Sequence, residues 1–133
     1  MTPEQLLLSG RGTPRQRFEA LRHVFKPVHA TMLQRLDYQT FLRTPYWRIV
    51  SQHARLQAAA CDRCGAQSSL QTHHRTYEHH GHEHEHLDDL EVLCRECHRL
   101  EHHRVSSASG NWRSMDELLP EAFAQLFTRA EGS

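Results

Sequence analysis

Apolar residues recur at spacings of three and four along the first part of the chain, which predicts amphipathic helices. One helix is expected to begin at Thr13-Pro14, a capping residue followed by the proline that suits the first helical position. Gln16 completes a capping box with Thr13, and Pro27 ends or kinks the helix. Its apolar positions are Phe18, Leu21, Val24 and Phe25.

Two more helices are predicted before residue 59. A short one is expected from Val28 to Leu36, and a longer one from Pro45 to Ala58, where Thr44-Pro45 repeats the cap-and-proline pattern. Residues 1–12 are expected to form a loose terminus with one short apolar cluster. The pattern therefore predicts a largely helical region over residues 1–58.

After residue 60 the pattern changes to short strands. Leu70 to His74 and Leu90 to Leu93 are predicted strands, separated by a loop rich in histidine and glutamate. A helix is predicted from Arg95 to about Val105, followed by a linker over residues 106–111 and a helix over residues 120–130. The expected fold is α+β, with a helical arm over 1–58, a strand–loop–strand–helix (ββα) core over 59–105, and a C-terminal segment over 106–133.

The length and composition limit the class of protein. A chain of 133 residues with 38% hydrophobic residues is suited to one domain. No apolar run approaches the roughly 18–20 residues that cross a bilayer. The opening MTPEQLLLSGRG lacks a basic segment followed by a long apolar one, as a signal peptide would have. We therefore expect a cytoplasmic protein with no membrane partner.

Charge is distributed unevenly, although the formal net charge is zero. Residues 1–58 contain nine Lys and Arg against three acidic residues, whereas residues 59–104 contain five Arg against nine acidic residues. A basic region beside a metal-binding region favours nucleic-acid contact, although a solvated helical face is the simpler interpretation of the charges alone. The residues predicted to contact phosphates are Arg43, Arg48, Arg55 and Arg75.

The four cysteines form two Cys-x2-Cys pairs, Cys61 with Cys64 and Cys94 with Cys97. In a cytoplasmic protein, paired spacing of this kind favours a metal over disulfides. Four thiolates make a closed tetrahedral site, so we predict a structural Zn²⁺ that joins the helical region to the ββα core.

The order of these elements resembles the HNH endonuclease family, the ββα-metal nucleases, and in particular the subgroup that carries a structural zinc. The resemblance covers about half of the chain, from Phe41 to His103. The matching residues are Phe41-Leu42-Arg43-Thr44-Pro45-Tyr46-Trp47, Cys61 to Gly65, His73-His74, Tyr77, Gly81, Glu83, Asp89-Leu90, Leu93-Cys94, Cys97-His98 and His102.

The resemblance implies roles for the histidines. His73 would bind the catalytic ion and His74 would be the general base, in agreement with strand alternation, which points neighbouring side chains to opposite faces. His98 and His102 lie four residues apart on the predicted helix and would complete the ion's ligands, with His103 as the alternative to His102.

Asp89 stands where the family usually has asparagine. By resemblance it orients His74 through a hydrogen bond, although it can instead coordinate the metal, and Asp88 is a less well-registered alternative. The remaining loop histidines are expected to be solvated; they are His79, His80, His82, His84 and His86.

The resemblance implies an enzyme, a metal-dependent HNH endonuclease that hydrolyses DNA phosphodiester bonds with a histidine base. Its cofactors would be the structural Zn²⁺ and one divalent catalytic ion, which is Mg²⁺, Mn²⁺, Ni²⁺ or Zn²⁺. The alternatives are a non-catalytic, zinc-stabilised nucleic-acid-binding module and a protein-interaction module. The oligomeric state is not predicted.

Overall fold

The computed structural model of the protein describes residues 2–104, with side chains as far as Glu101. The predicted linker over 106–111 and the helix over 120–130 lie outside the described residues. The α+β class is confirmed, since helices surround one two-stranded sheet. The elements are α1 Pro3–Ser9, α2 Pro14–Val24, α3 Pro27–Gln34, α4 Tyr38–Phe41, α5 Pro45–Ala58, β1 Leu70–His74, β2 Leu90–Cys94 and α6 Arg95–Arg104.

Threonine caps explain why the predicted helix starts agree with the structure. The Thr13 hydroxyl accepts a hydrogen bond from the Gln16 N–H at 3.1 Å, and the Gln16 side chain accepts one from the Thr13 N–H at 2.9 Å. Thr44 caps α5 in the same way, because its hydroxyl accepts from the Trp47 N–H at 3.1 Å. These bonds satisfy N–H groups that have no partner inside the helix.

The expectation of a loose N-terminus is wrong. Thr2 and Gln5 make a second capping box, and Pro3 is the first residue of α1. Leu7 then packs into the main core with only 3% of its surface exposed. The cap signal was present in the sequence, and the burial of Leu7 supplies the stability that so short a helix lacks by itself.

The main core lies between the helices and reaches the sheet. Its fully buried members include Leu21, Leu33, Phe41, Tyr46 and Val50, and Leu90 of β2 packs against the same cluster. The Thr72 hydroxyl donates to the Ser51 carbonyl at 2.9 Å and ties β1 to α5. Within residues 2–104, no helix is long and apolar enough to cross a membrane.

The two strands form an antiparallel hairpin whose register places the cysteines and histidines at opposite ends. Leu70 pairs with Cys94 at one end, and His74 pairs with Leu90 at the other. All five residues of β2 are buried. The loop between the strands contains two short 3-10 turns, Glu83–Glu85 and Leu87–Asp89, and α6 follows directly after β2.

Candidate metal and catalytic site

The four cysteines come together where the turn after α5 meets the end of β2. Their four sulfur atoms lie within 4.8 Å of one another, and the Sγ atoms of Cys64 and Cys94 are 3.5 Å apart. Zinc–thiolate bonds of about 2.3 Å in a tetrahedron place sulfurs roughly 3.8 Å apart. The cluster therefore fits a four-coordinate zinc ion.

Backbone N–H groups favour the thiolate forms of Cys61 and Cys94, whereas contact with the neighbouring Cys94 sulfur raises the pKa of Cys97. The N–H groups of Arg63 and Cys64 point at the Cys61 sulfur at 3.4 and 3.5 Å, and the Cys97 N–H points at the Cys94 sulfur at 3.4 Å. Burial acts to raise the pKa of Cys61, but these and other backbone donors lower it to about 6.

The first cysteine turn is fastened to β2 by its polar residues. Asp62 donates its backbone N–H to the Val92 carbonyl at 2.8 Å, and its carboxylate accepts the Val92 N–H at 2.8 Å. Arg63 bridges Glu91 of β2 and Glu101 of α6, at 2.8 and 2.6 Å. The turn, strand and helix that supply the cysteines are thus joined without any metal.

His73 and His98 meet on the face of the sheet that is covered by α6. Their ring centroids are 5.3 Å apart, with the rings at 71°. An ion bound at about 2.1 Å lies roughly 3 Å from each imidazole centroid, so two rings that share an ion tetrahedrally have centroids roughly 5 Å apart. The third predicted ligand, His102, lies in α6, and its side chain is outside the described part of the chain.

His74 points away from His73, toward α5, and is buried. Its side chain is 1% exposed, and its ring is stacked between Trp47 at 4.6 Å and Tyr77 at 4.7 Å. Nε2 lies 3.0 Å from Glu83 Oε2, and Nδ1 lies 3.4 Å from the Tyr38 hydroxyl. The strand alternation that was expected for the two histidines is therefore present in the hairpin.

Glu83 is a buried carboxylate with four donors. Oε2 faces His74 Nε2 and His80 Nδ1, the latter at 2.8 Å, while Oε1 accepts from the Gly81 N–H at 2.9 Å and the Tyr46 hydroxyl at 3.2 Å. Burial alone would raise the pKa of Glu83, but the hydrogen bonds from His74 and His80 lower it to about 2. The carboxylate is therefore ionised at neutral pH.

His74, His80 and Glu83 are also a second group with metal-ligand character, since their ligand atoms lie within 4.8 Å of one another. Sequence reasoning assigned no role to Glu83 and expected His80 in a solvated loop. That expectation is wrong for His80 and His84, which are 8% and 6% exposed. Glu83 had a signal, because it matched the resemblance, but its contacts depend on the fold.

Asp89 does not contact His74 in this structure. Its carboxylate pairs with His79 Nδ1 at 2.7 Å, and the His79 ring stacks on His86 at 3.6 Å. The position that was expected for Asp89 beside His74 is taken by Glu83. A catalytic role for Asp89 thus stays a prediction without this hydrogen bond to support it.

Three of the four predicted phosphate-binding arginines lie on one surface. Arg43, Arg48 and Arg55 line a groove of about 600 Å³. The groove is also lined by Leu42, Thr44, Trp47 and Ser51. Arg75 instead lies beside Glu91, with Nε 4.0 Å from its carboxylate, and does not line this groove.

The match to known families agrees with this geometry. Residues 61–104, which include both cysteine pairs and the hairpin, match the family model described as HNH endonuclease. No curated protein and no solved structure matches the chain. The resemblance to the HNH endonuclease family is confirmed for this segment of the chain.

The burial of His84 predicts a dependence of stability on pH. Burial lowers the pKa of His84 to about 4, below the ordinary value of 6.5. The unfolded chain therefore binds a proton at His84 before the folded chain does, and the free energy of unfolding falls as pH drops from about 6.5 to about 4.

Urea unfolding at several pH values, with wild type compared with His84→Asn, measures this effect. The variant should lose stability less steeply across this window, because its side chain does not titrate. The cysteine site is common to both proteins, so its own acid sensitivity cancels in the comparison. If the free energy of unfolding fell equally steeply with pH in the two proteins, the prediction would be contradicted.

Proposed function

We propose that this protein is a metal-dependent HNH endonuclease that hydrolyses DNA phosphodiester bonds. The observation that carries the proposal is the approach of His73 and His98 across the face between β1 and α6, within a segment that matches the HNH family. Two imidazoles that meet at this spacing suit a shared divalent ion, and the helix supplies a further histidine one turn later.

In this proposal the two sets of ligands have separate tasks. Cys61, Cys64, Cys94 and Cys97 would hold a structural Zn²⁺, a closed site with no position for a substrate. His73, His98 and His102 would hold one catalytic ion, Mg²⁺, Mn²⁺, Ni²⁺ or Zn²⁺. When bound, this ion supplies positive charge to the phosphate and the departing oxygen.

His74 would be the general base that takes a proton from the attacking water. Neutral imidazole is suited to this because one of its ring nitrogens has a lone pair that accepts a proton. Arg43, Arg48 and Arg55 would hold the DNA backbone along their common groove, with Arg75 as a further phosphate contact and Asp89 as an auxiliary residue of the site.

A second candidate function is a non-catalytic, zinc-stabilised nucleic-acid-binding module. The observation in its favour is the burial of His74, because a base with 1% of its side chain exposed has little direct access to water. The arginine groove and the cysteine cluster serve this function equally well, so cleavage activity separates the two candidates.

We predict one equivalent of zinc per chain, bound by the cysteines. Cys94→Ser should lose this zinc and unfold at a lower temperature, because the binding energy of a structural metal is folding energy. Elemental analysis and thermal unfolding measure both effects, with Gln67→Ser in the neighbouring exposed turn as the control. Zinc-free wild-type protein, purified without chelator, would contradict the prediction.

We predict nicking of supercoiled plasmid DNA when a divalent ion is present. His73→Ala and His98→Ala should lower the affinity for the catalytic ion, so that excess metal restores part of their activity. His74→Ala should abolish turnover and retain metal binding. Exposed His23 provides a control, since His23→Ala should cut like wild type.

Titration calorimetry with each ion separates these variants. No cleavage by wild type with any of the four ions, on single-stranded, duplex or branched DNA, would favour the binding module. Loss of metal affinity in His74→Ala but not in His73→Ala would reverse the roles of the two histidines.

We predict that the arginine groove contributes sequence-independent affinity for DNA. Replacing Arg43, Arg48 and Arg55 with alanine should weaken binding and flatten its dependence on salt, by a log–log slope of roughly 1 for each phosphate that the protein no longer neutralises. The matched control is the triple alanine variant of Arg11, Arg15 and Arg35, which are exposed and lie outside this groove. If DNA affinity depended on salt equally steeply in the two triple variants, the DNA would not lie along the arginine groove.

A further inference from the structure

The burial of His74 raises a mechanistic question about the proposed nuclease. Trp47 and Tyr77 cover the two faces of its ring, at 4.6 and 4.7 Å between centroids. Glu83 occupies the Nε2 edge at 3.0 Å. With these three sides covered, the Nδ1 edge is the side from which a proton can reach the imidazole.

The hydrogen bond to Glu83 determines which nitrogen of His74 carries the proton. The Gly81 N–H and the Tyr46 hydroxyl already donate to Glu83 Oε1 at 2.9 and 3.2 Å, which favours the ionised carboxylate, and an ionised carboxylate only accepts hydrogen bonds. Nε2 must therefore be the N–H of the neutral ring, which leaves the lone pair on Nδ1. This is the form in which Nδ1 accepts a proton, and the imidazolium that results is stabilised by the adjacent carboxylate.

The Nδ1 edge is connected to the surface by two tyrosines. The Tyr38 hydroxyl lies 3.4 Å from Nδ1, and the Tyr77 hydroxyl donates to the Tyr38 oxygen at 3.1 Å. Tyr77 is 47% exposed, whereas burial raises the pKa of Tyr38 and keeps its hydroxyl protonated. The four groups form one chain from solvent to a buried carboxylate.

We propose that Tyr77, Tyr38, His74 and Glu83 act as one hydrogen-bonded chain in which Glu83 is the positioning residue of the base. The inference rests on the proposed endonuclease function and assigns to Glu83 the part that was expected of Asp89. It also assigns to Nδ1 the proton taken from water.

The proton balance of this chain is simple. Water gives a proton to the Tyr77 oxygen as its own oxygen attacks phosphorus, Tyr77 passes its proton to Tyr38, and Tyr38 passes its proton to His74 Nδ1. Each tyrosine is neutral before and after the proton transfer. His74 ends as an imidazolium with Nε2–H still on Glu83, and the departing 3′ oxygen receives a proton from solvent.

A metal at His74, His80 and Glu83 is the rival explanation of the same cluster. The four donors around Glu83 already satisfy both carboxylate oxygens, at 2.8 to 3.2 Å. A carboxylate with this number of hydrogen bonds is stable in the buried site without a cation. The hydrogen-bonded chain therefore accounts for the contacts of Glu83 without an additional cation.

The first test is the tautomer of His74, measured by ¹⁵N NMR of the imidazole nitrogens. Wild type should show the Nε2–H tautomer, Glu83→Gln should show a mixture, and Asp89→Asn should resemble wild type. This readout needs no cleavage. The Nδ1–H tautomer in wild type, or a change in Asp89→Asn with none in Glu83→Gln, would overturn the assignment.

The second test is single-turnover cleavage by the same proteins. Glu83→Gln should cut more slowly, on the order of 10²-fold, with its DNA affinity and zinc content unchanged. Tyr38→Phe should also cut more slowly while the His74 tautomer stays that of wild type, and the control Glu78→Gln, at an exposed position of the same loop, should cut like wild type. Equal cleavage rates for Glu83→Gln and wild type would overturn a catalytic role for the hydrogen-bonded chain.

The two tests also separate this inference from the proposed function. If wild type cuts no DNA but Glu83→Gln shifts the tautomer, the endonuclease proposal and the catalytic role of the chain fail together, and the positioning of His74 remains. If added Zn²⁺ or Ni²⁺ perturbs the His80 signals in wild type but not in Glu83→Gln, then His74, His80 and Glu83 bind metal. That result would overturn the proposal of a hydrogen-bonded chain.

Discussion

A single buried negative charge, the carboxylate of Glu83, connects the helices to the hairpin. Removing an ionised carboxylate from water costs several kcal/mol unless donors replace the water, and here four of them do. Tyr46 brings the donor from α5, His74 brings one from β1, and His80 and Gly81 bring two from the loop. Loss of one donor would leave the charge underpaired, so the network fixes all three parts of the structure together.

The two-stranded hairpin uses both of its faces and both of its ends. His73 faces α6 and meets His98, whereas Thr72 and His74 face α5 and the aromatic core. The cysteine cluster lies near the Leu70 end, and the register puts His74 at the other end, about 13 Å along the strand. A structural metal at one end can therefore stabilise the hairpin without occupying the positions that the histidines use.

Local signals explain what was predictable from the sequence. The start of α5 follows from a threonine–proline cap, and β1 begins after a polar stretch at residues 66–69; both elements agree with the structure. The cysteine cluster was predictable because the Cys-x2-Cys spacing lets both sulfurs of a pair reach one metal ion. The environment of Glu83 was not, because its donor Tyr46 lies 37 residues away and enters only through the packing of α5. The same nonlocal packing buries His80 and His84, whereas composition alone predicts that these loop histidines are solvated.

The uneven distribution of charge acquires a simple explanation from these contacts. Much of the acidity of residues 59–104 is used inside the fold: Glu91 and Glu101 pair with Arg63, Asp89 pairs with His79, and Glu83 is surrounded by donors. Carboxylates paired in this way project little negative potential toward a polyanion. The arginines of the groove lie on a different surface and act over a screening length of about 8 Å at physiological salt. A formally neutral chain can thus have a basic surface, because much of its negative charge is paired inside the fold while the arginines of the groove lie on another surface.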